Sequence, residues 1–306
     1  MTLLRRQHAA LILLLISLCV SCSAYSVDPI QSSELRIGSW NIQNLGSRPW
    51  GQEPQDLADH IRASGADVLA LQEIHDDDGR DKTRTNAKLD QIVELLNEGG
   101  SAWQYQLYPR REPRNPEQLL GIAWNSRRVE PNGKPLRISV SYESGRSWRR
   151  HPYAVPFRPV EGGTDFVLIP LHSKSNSDGE ELGRRVRRGE AHALVAQLAA
   201  VRRHFKDDDL IILGDFNTID ADEEGLRLFR EAGFIDLNSE DRPTYSTRRF
   251  PNSPLDRILV PTEQPEFAES RFEVMTPRDP GRHVQRLSDH HLIYTTIQVV
   301  ADDDGS

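Results

Sequence analysis

The run Asp209-Leu-Ile-Ile-Leu-Gly-Asp-Phe-Asn-Thr218, DLIILGDFNT, sets four consecutive apolar residues against an abrupt polar end. A short, continuous apolar run closed by Gly-Asp reads as a strand buried on both faces, with the acid at its exit. Taken alone, the DFNT end is an ordinary turn, because Asp and Asn form turns through their own side chains. Its weight comes from recurrence. Strand readings at 35–40 (LRIGSW), 67–72 (DVLALQ), 164–171 (TDFVLIPL) and 255–260 (LDRILV) carry Asn41, Glu73, His172 and Asp256 at their ends.

Helical patterns separate these strands. Residues 54–64 (PQDLADHIRAS), about 86–98, about 180–204 and 223–233 show the 3.6-residue period, with Leu89, Ile92, Val93 and Leu96 on one stripe of the second. Further strands are expected at 103–108, 119–124, 153–157, 271–275 and 292–300. Strands and helices mixed in one run, without a repeat or a composition break, predict one layered α/β domain over residues 35–300. The acidic tail, 301–306 (ADDDGS), is expected to fray.

The N-terminus is different in kind. Arg5 and Arg6 precede an apolar run from Ala9 to Val20 and then the small residues SCSA. A basic start, a short apolar stretch and a small-residue exit describe a signal peptide over residues 1–24; a membrane span needs about 20 apolar residues. Two processing routes are open, lipidation at Cys22 or cleavage after Ala24. Export is therefore expected, to the periplasm, to the outer membrane as a lipoprotein or to the medium, with membrane contact only through such an anchor. Both cysteines, Cys19 and Cys22, belong to this segment, so the remaining chain has no internal disulfide. Removing the leader takes the net charge from −8 to −10, which disfavours a general electrostatic binder of nucleic acid and leaves room for local basic loops around a cation site.

Asn41, Glu73, His172, Asp215, Asn217, Asp256 and the Asp289-His290 pair form an oxygen-rich set with two histidines. Hard oxygen donors suit Mg²⁺, Mn²⁺ or Ca²⁺, and outside the leader neither cysteine nor an HExxH pair is present to hold zinc. Each residue also has a plain structural reading as a cap, turn former or packed histidine. In order along the chain, however, WNIQNLG, ALQEI, LHSKS, LGDFN, LDRIL and LSDHH resemble the motifs of the endonuclease/exonuclease/phosphatase superfamily, and within it the deoxyribonuclease I-like branch. The resemblance spans nearly all of 35–299. It implies an α/β four-layer sandwich, two packed, mostly antiparallel β-sheets flanked by helices, with the site at one edge.

The resemblance also assigns roles. Glu73, with Asn41 and Asp289, would bind Mg²⁺ or Mn²⁺; Asp215 and Asn217 would hold metal or phosphate oxygen; Asp256 would orient His290, the base for water; His172 would act on the leaving-group side. Arg150, in SWRRHPYAVPF, matches a phosphate-contacting arginine, with a solvated loop arginine as the alternative. Two arginines of the nuclease pattern are replaced by Gln43 and His75, and the acid that supports the first histidine falls near Gln118 or Glu117. In the triplet Asp289-His290-His291, period-two alternation puts His291 on the more apolar face and makes it a packing residue.

Two charge runs remain. RRVRR (184–188) reads as a solvated helix face or a polyanion footprint, and DDDGRD (76–81) as an exposed turn or a structural Ca²⁺ site. The substrate expected is nucleic acid, with no stable protein partner implied. The competing class is a sphingomyelinase or phospholipase C-like phosphodiesterase. The loop SYESGRSWRRHPY (141–153), rich in arginine, favours a polyanion over bilayer insertion.

Overall fold

The computed structural model describes residues 34–47, 51–77, 84–110, 118–140, 148, 150–247 and 252–302. The expected leader with Cys22, Glu117 and most of the 141–153 loop lie outside them. In chain order the elements are β1 (Glu34–Leu45), α1 (Pro54–Ser64), β2 (Val68–His75), α2 (Ala87–Glu98), β3 (Trp103–Tyr108), β4 (Gln118–Asn125), β5 (Val129–Pro131), β6 (Leu136–Arg137), β7 (Tyr153–Pro159), β8 (Phe166–His172), α3 (Glu180–Phe205), β9 (Leu210–Asp215), α4 (Glu224–Glu231), β10 (Phe234–Asp236), β11 (Asp256–Pro261), β12 (Glu273–Val274), α5 (Pro280–Arg286) and β13 (Ile293–Gln298). One sheet runs β12-β13-β1-β2-β4-β3 and the other β10-β11-β9-β8-β7-β5, with β6 beside β7. Only β1 with β2 and β8 with β9 pair in parallel, and α1 and α3 make the two crossovers.

Alternation along the strands builds the layers. In β8 and β9, Phe166, Leu168, Ile211 and Leu213 join Leu35, Ile37, Val68 and Ala70 of the first sheet in the core between the sheets. The intervening residues Val167, Ile169 and Ile212 pack outward on Leu194, Leu198 and Val201 of α3 and on Phe229 of α4. Leu69 and Leu71 pack on α1 and α2 through Leu57, Ile61, Leu89 and Ile92. Both faces of the central strands are thus covered, which explains their unbroken apolar runs. Each such side chain contributes roughly 1.5–3 kcal/mol on full burial.

Several elements differ from expectation. The strand at 271–275 narrows to β12, and the short strands β5, β6 and β10 and the helix α5 were not anticipated. The start of α5 is nevertheless written in the sequence: Asp279 accepts the Arg282 N–H at 3.0 Å, and Pro280 takes the first helical turn. α5 packs His283 against His60 of α1 and against His291, with centroids 5.4 and 5.2 Å apart, and His60 against Trp40 at 5.0 Å. His291 is therefore the packed residue that alternation implied. Burial, reinforced by neighbouring histidines, lowers His60 and His291 to about 4.

Two predictions follow from this packing. Gly214 sits at φ 144°, and a Cβ there would lie 2.1 Å from the Leu171 carbonyl oxygen, against backbone that cannot yield. Gly214→Ala should cost about 2–3 kcal/mol in urea unfolding, whereas Gly65→Ala, at a helix C-terminus (φ 65°) where a Cβ meets only the end of the Arg36 side chain, should cost about 1 kcal/mol. Equal costs would contradict the crowding at Gly214. The histidines set a pH window. Their folded-state values lie below the unfolded 6.5, so between about pH 4 and 6.5 the unfolded chain binds more protons. Their contribution is complete above 6.5 and is lost as pH falls toward 4. His60→Phe should flatten the stability–pH slope in that window by up to about 1.4 kcal/mol per pH unit, read from chemical denaturation at pH 4.5, 5.5 and 6.5; an unchanged slope would refute the burial argument.

Candidate active site

Parity places the site before any contact is counted. Asn41 continues the inward set Leu35–Ile37, Asp215 continues Ile211–Leu213, His172 continues Phe166–Leu168, and Asp256 precedes Ile258 and Val260. All four side chains project into the layer between the sheets at its open end. Cross-strand register then aligns them: His172 is paired with Asp215, and Asp215 with Asp256, across β8, β9 and β11. Glu73 would face outward by simple alternation. A bulge corrects this, since β1 advances from Asn41 to Leu45 while β2 advances only from Gln72 to Ile74, and Glu73 adopts φ 61°. Asn44, at φ 57°, donates its N–H to Glu73 Oε2 at 3.1 Å and fixes the redirected carboxylate. Asn217 is likewise left-handed, at φ 54°, with its N–H on Asp215 Oδ1 at 2.9 Å.

At the centre, His290 Nδ1 is 2.9 Å from Asp256 Oδ2, and Nε2 is directed at Asp215 Oδ2, 3.8 Å away. Thr244 Oγ1 donates to the same Asp256 oxygen at 2.7 Å and accepts the Asp256 N–H at 2.9 Å, so the carboxylate cannot rotate. Trp40 Nε1 donates to the His290 carbonyl at 3.0 Å, Ser288 Oγ accepts the His290 N–H at 3.1 Å, and Tyr245 lies 4.8 Å from the His290 ring. β13 begins only at Ile293, yet the alternation read from the sequence holds: His290 faces the carboxylates, and His291 faces His283. Burial opposes charge on His290, but Asp256, Asp215 and Asp289 outweigh it and push the imidazole up to about 10.

Asp215 and Glu73 converge on His172, whose Nε2 is 3.4 Å from Asp215 Oδ2 and 3.8 Å from Glu73 Oε1. Asn41 Nδ2 donates to Asp215 Oδ2 at 3.0 Å, while its Oδ1 accepts the Gln43 N–H at 3.0 Å. Burial pushes the Asp215 carboxyl up to about 7, opposed by His290 and reinforced by Asp256 and Glu73. A buried carboxylate crowded by others is an environment deficient in positive charge, and these hard oxygens fit a Mg²⁺- or Mn²⁺-like ion. Asp215, Asp256 and His290 offer ligand atoms within 4.8 Å of one another, and Asp289 Oδ2 accepts Gln43 Nε2 at 2.6 Å. Asp256 is already committed to His290 and Thr244, whereas Glu73 and Asp215 keep carboxylate oxygens for a cation.

Arg150 is held beside this centre by Gln118, whose Oε1 accepts its Nη2, and it feels Glu73, Asp215 and Glu190. Gln118 is thereby spoken for, since its Nε2 also donates to Asn44 Oδ1 at 2.6 Å. It does not supply the support for His172 that the sequence comparison placed there: His172 Nδ1 is buried with no hydrogen-bond partner among the described residues. Burial, with Arg150 next, keeps His172 well below its ordinary value and hence neutral. Gln43 and His75, standing where arginines were expected, act locally, the first on Asp289 and the second on Ser47 Oγ and Asn44 Oδ1 at 3.1 and 3.2 Å.

Several supporting residues escaped sequence reading. Thr244 is one, legible only as a polar residue in a turn. Arg257 is another: fully buried, it bonds Asp236 Oδ2 at 3.0 Å, Asp241 Oδ1 at 2.6 Å and Thr218 Oγ1 at 3.1 Å. The basic run 184–188 is not uniformly solvated. Arg185 and Arg188 are exposed, but Arg187 is buried in a bidentate pair with Glu223, and Arg184 binds Glu180 and Asp220. In the acidic run, Asp76 pairs with Arg84 at 2.6 Å and Asp77 accepts the Ala87 N–H; the remainder, with any Ca²⁺ site, lies outside the described residues.

The comparisons with known proteins agree with this geometry. The catalytic domain of human Nocturnin, solved with bound sulfate, superposes with a TM-score of 0.61 at 19% identity, over 87% of this chain and 94% of that one. Truncated TDP2 of Caenorhabditis elegans gives 0.59 at 15%, over 87% and 97%. The mannosyl-6-phosphatase of Bacteroides thetaiotaomicron gives 0.60 at 17%, over 86% and 99%. At such identities these likenesses establish the fold alone. A search of curated protein sequences finds no match. The family model described as "Endonuclease/Exonuclease/phosphatase family" matches residues 38–290, from the strand before Asn41 through His290, and the chain therefore belongs to that family of hydrolytic phosphoesterases.

Proposed function

We propose that the protein is an exported, Mg²⁺- or Mn²⁺-dependent phosphodiesterase that cleaves nucleic acid, DNA before RNA. The observation that carries the reading is the Asp256–His290 pair, 2.9 Å apart and aimed at Asp215 beside Glu73. Asp256 fixes the proton on Nδ1, leaving Nε2 to take the proton of an attacking water. A bound divalent cation would neutralise phosphoryl oxygen charge beside Glu73 and Asp215. Glu73 and Asp215 would hold it, and with Asp215 so engaged part of the negative field that holds His290 protonated would be relieved, so that His290 could serve as the base. In this reading Arg150 and Asn217 would contact the phosphate, and neutral His172 would offer a hydrogen bond, not a proton, on the leaving-group side. The polyanionic substrate is inferred from the arginine-rich 141–153 segment, and export from residues 1–24, both from sequence alone.

Purified mature protein should nick supercoiled plasmid in the presence of Mg²⁺ or Mn²⁺ and stop on addition of EDTA. Failure on DNA and RNA together with turnover of sphingomyelin would replace this reading with the phospholipase C-like one; turnover of a phosphomonoester alone would place the chain with phosphatases. Within the site, His290→Ala should lower turnover about 10²–10⁴-fold with the fold intact by circular dichroism. His291→Ala should instead lower the melting temperature and leave most of the turnover. Equal catalytic losses in two folded variants would overturn the assignment of His290 as base.

A further inference from the structure

Residues 184–188, near the start of α3, hold four arginines, and Arg187 alone of these is fully drawn inside, at 3% exposure. Its guanidinium is used on every side. Nε and Nη2 meet Glu223 Oε1 and Oε2 at 2.6 and 2.9 Å, and Nη1 donates at 2.9 Å to both the Lys174 carbonyl and Asn176 Oδ1. Asn176 Nδ2 passes the connection on to the Asn217 carbonyl at 3.2 Å, and Asn217 Nδ2 returns to the Ser173 carbonyl at 3.3 Å. Glu190, one turn further along α3, accepts the Lys174 N–H at 3.0 Å. The segments fixed in this way follow His172 and contain Asn217. One arginine therefore ties together the loops after β8 and β9, with the buried Glu223 ahead of α4 as its counter-charge.

A buried ion pair is weak evidence for stability, because desolvation cancels much of the attraction. Its bonds here end on backbone and amide groups next to reacting side chains, where displacements of about 1 Å can cost 10²-fold in rate. We propose that Arg187 is a positioning residue of the active site: through Lys174 and Asn176 it sets where His172 and Asn217 stand relative to the scissile phosphate. The proposal rests on the phosphodiesterase reading above and adds to it a dependence of catalysis on α3.

The test is steady-state hydrolysis of bis(p-nitrophenyl) phosphate with Mn²⁺ by Arg187→Met, Arg187→Lys, Arg188→Met and Asn217→Ala variants and by the Arg187→Met/Asn217→Ala double variant. Arg188, exposed and paired with Glu224 at 3.1 Å, is the control. Arg187→Met should lower kcat about 10–100-fold with KM within about twofold, Arg187→Lys should recover part of the loss, and Arg188→Met should match the wild type. In the Asn217→Ala background the Arg187→Met effect should shrink to the part that acts through His172, because the two changes share the placement of Asn217. An unchanged kcat, or a full and additive loss in the double variant, overturns the proposal. Should Arg187→Met fail to fold, Arg187→Lys and Glu223→Gln are judged by the same criteria. Should the wild type hydrolyse no phosphoester, the functional reading falls, and the imidazole ¹⁵N shifts of His172 decide the positioning role separately: displaced in Arg187→Met but not in Arg188→Met supports it, and unmoved in both refutes it.

Discussion

Everything at the open edge of the two sheets is organised around a carboxylate placed where water cannot solvate it. Asp215 ends a strand whose inward residues build the inter-sheet core, so its side chain is delivered to the end of an apolar layer. A charge there must be met by hydrogen bonds, by opposite charge or by a bound cation. The surrounding residues answer in kind: Asn41 and the Asn217 backbone donate to its two oxygens, and His172 and His290 turn their Nε2 atoms toward it. These donors come from both sheets, so the site exists only where the sheets are packed together. The inter-sheet core is in this sense part of the candidate site.

The two parallel pairs explain why so many functional groups meet. Parallel pairing brings the carboxyl ends of neighbouring strands to the same edge, so β1 and β2 present Asn41 and Glu73 while β8 and β9 present His172 and Asp215. β11, antiparallel to β9, contributes its first residue, Asp256, at the same level. Where regular geometry would aim a group wrongly, the backbone departs from it. Glu73, Asn44 and Asn217 occupy left-handed conformations that cost of order 1–3 kcal/mol each for a residue other than glycine. That cost is met by the bonds those conformations allow, the Asn44 N–H on Glu73 and the Asn217 N–H on Asp215.

The layered fold and the strand-end residues were legible in the sequence because both depend on short-range pattern. Continuous apolar runs mark strands covered on both faces, and a polar residue at the end of such a run stands out against it. Parity even separated His290 from His291 without a contact map. What was not legible depends on partners distant in sequence. Thr244 holds Asp256 from twelve positions away, and Arg187 reaches Glu223 across thirty-six. Nothing in the local pattern around RRVRR tells the third arginine from its neighbours; only the turn of the helix does so, by facing it toward the loops after β8 and β9. The partner of His172 was not legible for a related reason: Gln118, one of the two positions where the resemblance puts a supporting acid, bonds Arg150 and Asn44 instead.

This division has a physical cause that bears on how the site is held. Residues that act on substrate must sit at strand ends, and strand ends are written in local periodicity. Residues that fix those side chains must come from other elements, because a strand cannot brace its own terminus. His290 shows the consequence most fully. Its ring is set by Asp256 from β11, Asp256 is set by Thr244 from the preceding turn, and its backbone is set by Trp40 from β1 and Ser288. Each brace belongs to a different segment, so the imidazole stays aimed at Asp215 only while the helix layer, the two sheets and the loop before β13 are assembled together. Three carboxylates push that imidazole up to about 10, and the same rigid frame that imposes their field keeps the ring aimed.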